Sequence, residues 1–323
     1  MPTYTKITAM GQYVPDRIVD NDELATIMDT NDEWIQAHTG IKTRHFAMDA
    51  ENTSSLATQV AQQLLTKSGL AATAIDLIIV TTITPDALTP ATACLVQANI
   101  GATNAFAFDM SAACAGFTFG LATADKFVRS GQYQNVMVIS AEVNSKMMDF
   151  KDRTAAVFFG DGAGGALLQA TTNPAENSIL AEKLQTQGDA EVIHSGRVQP
   201  ITRVVASNYP QTDAFYQAGR DVFQFATTVV PEQMRTLLQQ ANVAPTDLQY
   251  VICHQANLRI IEQIATNLAL PMAKFPHNVE KFGNTSSAGV AMALASVYDE
   301  LTGPALITAF GGGLAYGSVL IQK

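Results

Sequence analysis

Apolar positions along the chain follow two spacings, one typical of strands and one typical of helices. Phe106 and Phe108 alternate with alanines, which predicts a strand. Apolar side chains resume at Phe117 with helical spacing. Small residues fill the stretch 111–116 between the two patterns, and Cys114 lies among them. The pattern therefore places Cys114 in the first turn of a helix that directly follows a strand.

The same order of elements occurs twice in the chain. Residues 64–82 resemble residues 237–255, and both segments predict the end of a helix, a short loop and an apolar strand. At the same offset, residues 111–124 resemble residues 284–297, which sets Cys114 opposite Ser287. A constant offset over two separated blocks indicates an internal duplication.

The duplication predicts an α/β protein built from two halves, residues 1–170 and 171–323. Each half is expected to form a sheet of mostly buried strands that is covered by helices. The segment 171–222 has the weakest periodicity and contains Asn173-Pro174, Pro200 and Asn208-Tyr209-Pro210. It is predicted to be a long connection or a cap between the halves.

Polar residues at matching ends of the two halves are the candidates for chemistry. In α/β sheets, functional residues gather at strand ends and helix starts. Cys114 begins a helix in the first half, Asn284 begins the matching helix in the second, and His254 ends the second-half strand. These three side chains can therefore converge on one crevice.

Composition narrows the classes of function. The chain has 323 residues, of which 47% are hydrophobic and 15% charged, and its net charge is −10. The negative charge argues against nucleic acid and anionic membranes as partners. No apolar run approaches a membrane span, and the N-terminal residues lack the layout of a signal peptide. Cys94, Cys114 and Cys253 cannot all pair and lack metal-site spacing, so we expect a cytoplasmic protein without metal.

A thiol at a helix start is suited to nucleophilic chemistry. The unpaired N–H groups and the positive end of the helix dipole favour the thiolate. Small flanking residues allow a carbonyl group to approach and leave backbone N–H groups for an oxyanion. The alternative for Cys114 is a buried, inert cysteine, which is a common state of free cysteines.

Four motifs together carry a family resemblance. They are DMSAACAGF around Cys114, HQANLRI (254–260), GNTSSA (283–288) and AFGGG (309–313). In this order they resemble the β-ketoacyl-acyl-carrier-protein (ACP) synthase III family of the thiolase-like superfamily, with the weakest match over 171–215. The resemblance implies a layered αβαβα thiolase-like fold made of two duplicated halves, a homodimer, and a catalytic set of Cys114, His254 and Asn284.

The resemblance implies the decarboxylating Claisen condensation of a short acyl-CoA with malonyl-ACP. Cys114 would hold the acyl group, and the N–H groups of Cys114 and Gly312 would form the oxyanion hole. His254 and Asn284 would donate hydrogen bonds to the enolate that forms when carbon dioxide leaves. No cofactor is expected, because loss of carbon dioxide generates the carbanion. The alternatives are a core histidine at 254 and a helix N-cap at Asn284.

The resemblance also assigns residues to substrate recognition. Trp34 and Arg153 occupy the positions that sandwich the adenine of CoA, and His38 replaces a family arginine at the same site. An aromatic ring and a guanidinium group suit a purine. Arg259 and Gln255, both in the HQANLRI motif, are expected at the surface that docks ACP.

Leu88 and Thr89 are the candidates for the acyl pocket. Acetyl-selective members of the family tend to carry a phenylalanine before the proline of this segment, where it closes the acyl pocket of the partner subunit. Thr89 precedes Pro90 here, so primers longer than acetyl are expected to fit, unless Leu88 fills the gap.

Three other readings of the sequence remain open at this stage. The first is a related condensing or acyl-transfer enzyme of secondary metabolism. The second is a hydrolase with a Cys-His-Asn set, which would place its cysteine near the N-terminus and would lack the repeat. The third is a catalytically silent scaffold, which the presence of all three polar residues disfavours.

Overall fold

The computed structural model describes residues 2–196 and 215–323. The strands in these ranges are β1 (Tyr4–Tyr13), β2 (Arg17–Asp20), β3 (Thr43–Phe46), β4 (Leu77–Thr81), β5 (Phe106–Met110), β6 (Asn135–Glu142), β7 (Gly162–Thr171), β8 (Ile179–Asp189), β9 (Ile193–His194), β10 (Tyr216–Gln217), β11 (Tyr250–Cys253), β12 (Ala305–Gly311) and β13 (Gly313–Ile321). The helices are α1 (Asn21–Ala25), α2 (Asp32–Thr39), α3 (Thr53–Ser68), α4 (Thr92–Ile100), α5 (Gly116–Arg129), α6 (Arg153–Ala156), α7 (Gly219–Gln240), α8 (Leu258–Leu268), α9 (Val279–Phe282) and α10 (Ser287–Val297).

The first large sheet has the strand order β1-β7-β6-β4-β5. Strands β5, β4 and β6 run parallel, whereas β7 is antiparallel to both β6 and β1. All five residues of β4 are buried, as expected for a strand covered on both faces. Because parallel strands end at the same edge, the segments that follow Thr81, Met110 and Glu142 meet there.

The second large sheet has the order β11-β12-β13-β8. Strands β11 and β12 run parallel, and β13 is antiparallel to both of its neighbours. The strand β11 ends at Cys253, immediately before His254, and β12 ends at Gly311. These two carboxyl ends lie side by side, because Cys253 pairs with Thr308 in the ladder.

The two sheets and their helices form five layers. Within β4, Leu77 and Ile79 pack in an apolar cluster shared with α5, α10 and the second sheet. Ile78 and Val80 point to the opposite face, where they pack in a separate cluster with α3 and α4. A third cluster joins α7 and α8 to the outer face of the second sheet. The predicted αβαβα layering is therefore confirmed, with α5 and α10 as the central helix layer.

The segment predicted as a connection contains regular structure. β8 pairs with β13 along most of its length and forms one edge of the second sheet. The short strands β9 and β10 pair with each other, and α7 begins at Gly219. Its periodicity is weak because β8 is only partly buried and carries polar residues on both faces. Residues 197–214 of this segment lie outside the described residues.

Candidate active site

Cys114 lies between β5 and α5. It belongs to a 3₁₀ turn, Ala113–Ala115, and α5 begins two residues later at Gly116, so the predicted first helical turn is a tighter one. The preceding residue, Ala113, has a left-handed backbone with a φ of 47°. Cys114 is only 8% exposed. This turn directs the sulfur into the region between the two sheets instead of along the helix surface.

The environment of Cys114 favours the neutral thiol. The pKa of Cys114 is raised from 9.0 to about 12, mainly because the thiol is buried; a hydrogen bond from Ser286 lowers it and the nearby Glu142 raises it. This rise corresponds to about 4 kcal/mol. A helix start contributes at most about 2 kcal/mol in favour of a charge. The position before α5 therefore does not by itself produce the thiolate that the sequence pattern predicted.

The glycine turn after β12 packs against Cys114. A Cβ atom on Gly311 would lie 2.5 Å from the backbone nitrogen of Cys114, so only glycine allows this approach. The next residue, Gly312, lines a cavity of about 270 Å³ together with Cys114 and Ala113. The two residues predicted to form the oxyanion hole therefore face the same cavity.

His254 directly follows β11 and is 2% exposed. Its backbone N–H donates to the carbonyl of Thr308 at 2.8 Å, and its ring packs edge-to-face on Phe310 with 5.0 Å between centroids. Burial lowers the pKa of His254 to about 3, so the imidazole is neutral near pH 7. Its Nδ1 atom is buried and has no hydrogen-bond partner among the described residues.

Asn284 lies three residues before α10 and is 6% exposed. Its backbone N–H donates to Phe158 at 2.8 Å, and its carbonyl accepts from Gly160 at 3.1 Å. Its side-chain Oδ1 accepts the N–H of Ser286 at 2.9 Å, which leaves the amide NH₂ for other partners. The predicted N-cap role is wrong, because α10 begins at Ser287 and its N-cap residue is Ser286.

Two short chains of contacts lead from these residues to Cys114. On one side, Asn284 binds Ser286, whose Oγ donates to the Sγ of Cys114 at 3.3 Å. On the other side, His254 packs against Phe310, and the adjacent Gly311 touches the backbone of Cys114. The residues of the predicted catalytic set thus surround one region, although none of them hydrogen-bonds directly to another in the described structure.

Sequence reasoning missed two polar residues beside Cys114. Ser286 is fully buried and contacts the sulfur. Glu142, at the end of β6, is also fully buried, and it accepts a hydrogen bond from Ser287 Oγ at 2.9 Å. The internal repeat sets Cys114 opposite Ser287, so the equivalence of the two helix starts was the signal that could have identified Ser286 and Ser287.

The cavity at Cys114 is partly lined by the segment that was predicted to be a connection. Ile193, His194 and Phe215 all contribute to its wall. Phe215 packs edge-to-face on Phe159 at 4.7 Å between centroids, which fixes that side of the cavity. The segment predicted to be a connection or a cap therefore forms part of the cavity wall around Cys114.

Trp34 lies in the first turn of α2, where Asn31 Oδ1 accepts its backbone N–H at 2.7 Å. The Arg153 guanidinium is 5.3 Å from the Trp34 ring centroid, and the His38 ring stacks on the Trp34 ring at 4.4 Å. A purine between ring and guanidinium needs roughly 7 Å, two contact distances of ~3.5 Å. Arg153 pairs with Asp29 at 3.8 Å, so it has to move before an adenine can enter.

The two residues predicted to contact ACP differ in their exposure to solvent. Gln255 is fully buried, and its amide donates to the Cys253 carbonyl at 2.7 Å. The prediction that Gln255 contacts ACP is therefore wrong. Arg259 follows the Asn257 N-cap of α8, and its side chain is 42% exposed. It pairs with Glu262 at 3.0 Å and donates to the Ala37 carbonyl, so much of its charge is already balanced.

Leu88 and Thr89 are exposed, and Leu88 is 97% exposed. Neither lines the cavity at Cys114 in its own chain. Of the other cysteines, Cys253 is buried and Cys94 is partly buried. Within residues 2–196 and 215–323, no group of three or more His, Cys, Asp or Glu side chains could hold a metal ion. No helix in those ranges has the length and apolar character to cross a membrane.

Comparison with protein families identifies two regions of the chain. The family model described as 3-oxoacyl-[acyl-carrier-protein (ACP)] synthase III matches residues 108–188, which contain Cys114. The model of the C-terminal part of the same enzyme matches residues 238–323, which contain His254 and Asn284.

Individual relatives match the chain over almost its entire length. The β-ketoacyl-[acyl-carrier-protein] synthase III 1 of Lactiplantibacillus plantarum is 85% identical over 100% of both chains. The crystal structure of 3-oxoacyl-[acyl-carrier-protein] synthase III from Aquifex aeolicus is 39% identical and superimposes with a TM-score of 0.90, covering 99% of this chain and 100% of the other. The priming β-ketosynthase of the R1128 polyketide pathway is 32% identical with a TM-score of 0.91, covering 99% and 96%.

Proposed function

The chain belongs to the β-ketoacyl-[acyl-carrier-protein] synthase III family, and we propose that Cys114, His254 and Asn284 carry out its reaction. The protein is an acyltransferase that condenses an acyl-CoA with malonyl-ACP and so initiates fatty-acid synthesis. Membership of this family excludes the hydrolase reading of the three residues. The 85% identical relative favours fatty-acid synthesis over secondary metabolism.

In the first half-reaction, Cys114 takes the acyl group. The sulfur attacks the thioester carbonyl of acyl-CoA, a tetrahedral intermediate forms, and the carbon–sulfur bond to CoA breaks as the CoA thiol leaves with a proton. The N–H groups of Cys114 and Gly312 hold the oxyanion. The observation that carries this step is the cavity of about 270 Å³ that both residues line.

In the second half-reaction, His254 and Asn284 bind the thioester oxygen of malonyl-ACP. Loss of carbon dioxide leaves an electron pair on the α-carbon, and the negative charge moves to that oxygen. A neutral imidazole and an amide NH₂ can both donate hydrogen bonds to it. Burial lowers the pKa of His254 to about 3, which supports a neutral donor in this role.

Carbon–carbon bond formation completes the cycle. The enolate carbon attacks the acyl group on Cys114, the carbon–sulfur bond breaks, and the electron pair returns to the sulfur. The new 3-oxoacyl group stays on ACP. The carbanion comes from decarboxylation, so we propose that the reaction needs no cofactor or metal.

Residues around the site are proposed to contact the two substrates, CoA and ACP. Trp34, His38 and Arg153 bind the adenine end of CoA after Arg153 releases Asp29. Arg259 remains the proposed ACP contact, although its pairing with Glu262 limits its contribution. We further propose a cytoplasmic location, since all three cysteines are free thiols, as in a reducing compartment.

A homodimer is part of the proposal. β5 is an edge strand of the first sheet, and edge strands with free N–H and C=O groups are sites of pairing between chains. Phe106 at its start is 39% exposed and Leu88 is 97% exposed, which is unfavourable in water for large apolar side chains. Pairing of β5 with its copy would cover this edge. It would also bring Leu88 and Thr89 to the partner subunit.

The nucleophile is tested by mass spectrometry of the intact protein after mixing with acetyl-CoA. The wild type should gain one acetyl group, located on Cys114 after proteolysis. Cys114→Ser should gain none and should lose condensation by a factor on the order of 10⁴ or more. Cys94→Ser is the matched control and should acylate normally. An acetyl group on Cys94 or Cys253 in the Cys114→Ser variant would contradict the proposal.

The primer is tested with Thr89→Phe. A phenyl ring adds the volume of roughly two to four methylenes, each worth ~0.8 kcal/mol when buried. The ratio of kcat/KM for butyryl-CoA over acetyl-CoA should therefore fall by about tenfold or more in the variant. A wild type strictly selective for acetyl-CoA and unaffected by the substitution would show that Thr89 does not line the pocket.

A further inference from the structure

Ser286 has an unusual backbone conformation beside the nucleophile. Its φ is 52° and its ψ is −126°, in a region that residues other than glycine rarely adopt. The residue is fully buried. A strained backbone in a buried position persists only where the surroundings hold it, and such positions concentrate at functional sites.

The conformation of Ser286 directs its hydroxyl to the sulfur. Ser286 Oγ lies 3.3 Å from Cys114 Sγ and donates to it. Among residues 2–196 and 215–323, it is the only side chain that hydrogen-bonds to this sulfur. His254 does not serve this purpose, since its hydrogen bonds in the described structure do not include Cys114.

Ser286 is held from both sides. On its N-terminal side, Asn284 Oδ1 accepts the Ser286 backbone N–H at 2.9 Å. On its C-terminal side, Ser287 Oγ donates to Glu142 Oε1 at 2.9 Å. Glu142 is in turn fixed by Thr84 Oγ1, which donates to it at 2.7 Å. These contacts hold the backbone of the segment before α10 in place, and so they fix the position from which Ser286 Oγ reaches the sulfur.

We propose that Ser286 is a catalytic hydrogen-bond donor that stabilises the Cys114 thiolate. The inference rests on the proposed role of Cys114 as the nucleophile. The hydroxyl acts when Cys114 gives up its proton, which leaves on the CoA thiol, and its sulfur attacks acyl-CoA. It acts again when the carbon–sulfur bond breaks after condensation and the electron pair returns to the sulfur. The Ser286 hydroxyl keeps its own proton throughout.

The size of the effect follows from two opposing trends. A hydrogen bond to a charged group changes the thiolate population by about 10- to 100-fold. A thiolate stabilised in this way is also a weaker nucleophile. About 0.4–0.5 of the logarithm of the gain in thiolate population is therefore lost from the rate. The net contribution to the rate is therefore about 4- to 15-fold near neutral pH, because burial keeps most of the thiol protonated there.

The experiment compares Ser286→Ala, Ser286→Gly and the control Ser296→Ala. Ser296 lies on the same helix but is exposed. The readouts are the rate at which iodoacetamide alkylates Cys114 at pH 7, followed by peptide mass spectrometry, and the rate of acetyl transfer from acetyl-CoA. Both variants at position 286 should be slower by about 4- to 15-fold in both assays. The control should match the wild type.

The two substitutions separate the hydroxyl from the backbone. Glycine adopts the left-handed conformation without strain, so Ser286→Gly is expected to fold even if Ser286→Ala does not. Wild-type rates in either folded variant would overturn the inference, because both lack the hydroxyl. If the wild type itself took no acetyl group on Cys114, the proposed function would fail instead, and the alkylation assay would still report on Ser286.

Discussion

The starts of α5 and α10 both contain a residue with a positive φ, but their side chains differ. Ala113 and Ser286 occupy matching positions of the repeat, with φ values of 47° and 52°. In the first half the next residue is Cys114, which borders a cavity. In the second half it is Ser287, which is fully buried and bound to Glu142. The two related turns therefore share a positive φ, while one holds the proposed nucleophile and the other holds residues that contact Cys114 and Glu142.

The strands that end beside these two turns also differ in the side chains at their ends. Glu142 ends β6 and accepts hydrogen bonds from Thr82, Ile83, Thr84 and Ser287, so its carboxyl group is saturated. At the corresponding end of the second sheet lie apolar and unsaturated groups instead. Saturated buried polar groups stabilise a fold, whereas an unsaturated one is available to a ligand.

The second-sheet end consists of Phe310 and the neighbouring His254. Phe310 packs against the His254 ring, and the buried Nδ1 of His254 has no partner among the described residues. We therefore expect substitutions at this end to change catalysis, and substitutions in the Glu142 cluster to change stability first.

The largest effect is expected for His254→Ala and Asn284→Ala. Each removes one donor to the enolate, which should slow malonyl-ACP decarboxylation by about 10²–10³-fold. Acetyl transfer to Cys114 should continue in His254→Ala, because it uses the oxyanion hole and not the imidazole. In Asn284→Ala it should slow by no more than the loss of Ser286, about 15-fold, because Asn284 Oδ1 also holds Ser286. The two half-reactions are measured separately, as release of ¹⁴CO₂ and as acetyl-enzyme mass. Equal losses of rate in decarboxylation and in acetyl transfer would contradict the assignment of His254 and Asn284 to the decarboxylation step.

An intermediate effect is expected for Glu142→Gln. The amide oxygen can keep the three donors of Oε2, so the NH₂ faces Ser287 Oγ and leaves that donor unsatisfied, which lowers the free energy of unfolding by about 1–3 kcal/mol. Urea unfolding followed by tryptophan fluorescence measures this loss. Glu300→Gln, an exposed glutamate in the second half, is the control and should unfold like the wild type. Unchanged stability in Glu142→Gln would contradict the supporting role of the cluster.

The pH dependence of this difference has a definite sign. Burial raises the pKa of Glu142 above its ordinary value of 4.5. The folded state therefore holds the proton more tightly than the unfolded state. The contribution of Glu142 to the free energy of unfolding is complete below pH 4.5, and it is lost as the pH rises through the folded-state pKa. The stability gap between the wild type and Glu142→Gln, which does not titrate, should therefore narrow as the pH rises from 4 to 7. A gap that widens would contradict a raised pKa of Glu142 in the folded state.

The smallest effect is expected for Ala113→Gly. Glycine tolerates a positive φ, so the substitution should raise the free energy of unfolding by up to about 1 kcal/mol. Ser286→Gly should gain less, because it also loses the buried hydrogen bond from Ser286 Oγ to Cys114 Sγ. Urea unfolding of both variants provides the comparison. A gain in one and a loss of more than 1 kcal/mol in the other would show that the two turns are not equivalent.

The local pattern of the sequence determined much of this site. Small residues between a strand pattern and a helix pattern placed Cys114 correctly between β5 and α5, and the repeat placed His254 and Asn284 at the matching edge. These features are local, because side-chain period and turn composition depend on neighbouring residues. The repeat also predicted two related halves, each a buried sheet covered by helices, whereas the five-layered arrangement was implied by the family resemblance.

Only the tertiary structure determined which side chains contact each other across the two halves. Ser286 reaches Cys114 from 172 residues away, and Ser287 reaches Glu142 from 145 residues away. Gln255 lies in the same motif as Arg259, but one is buried and the other is paired at the surface. Such contacts depend on how the two sheets pack together. Neither periodicity nor motif spacing reports that packing, because both describe one element at a time.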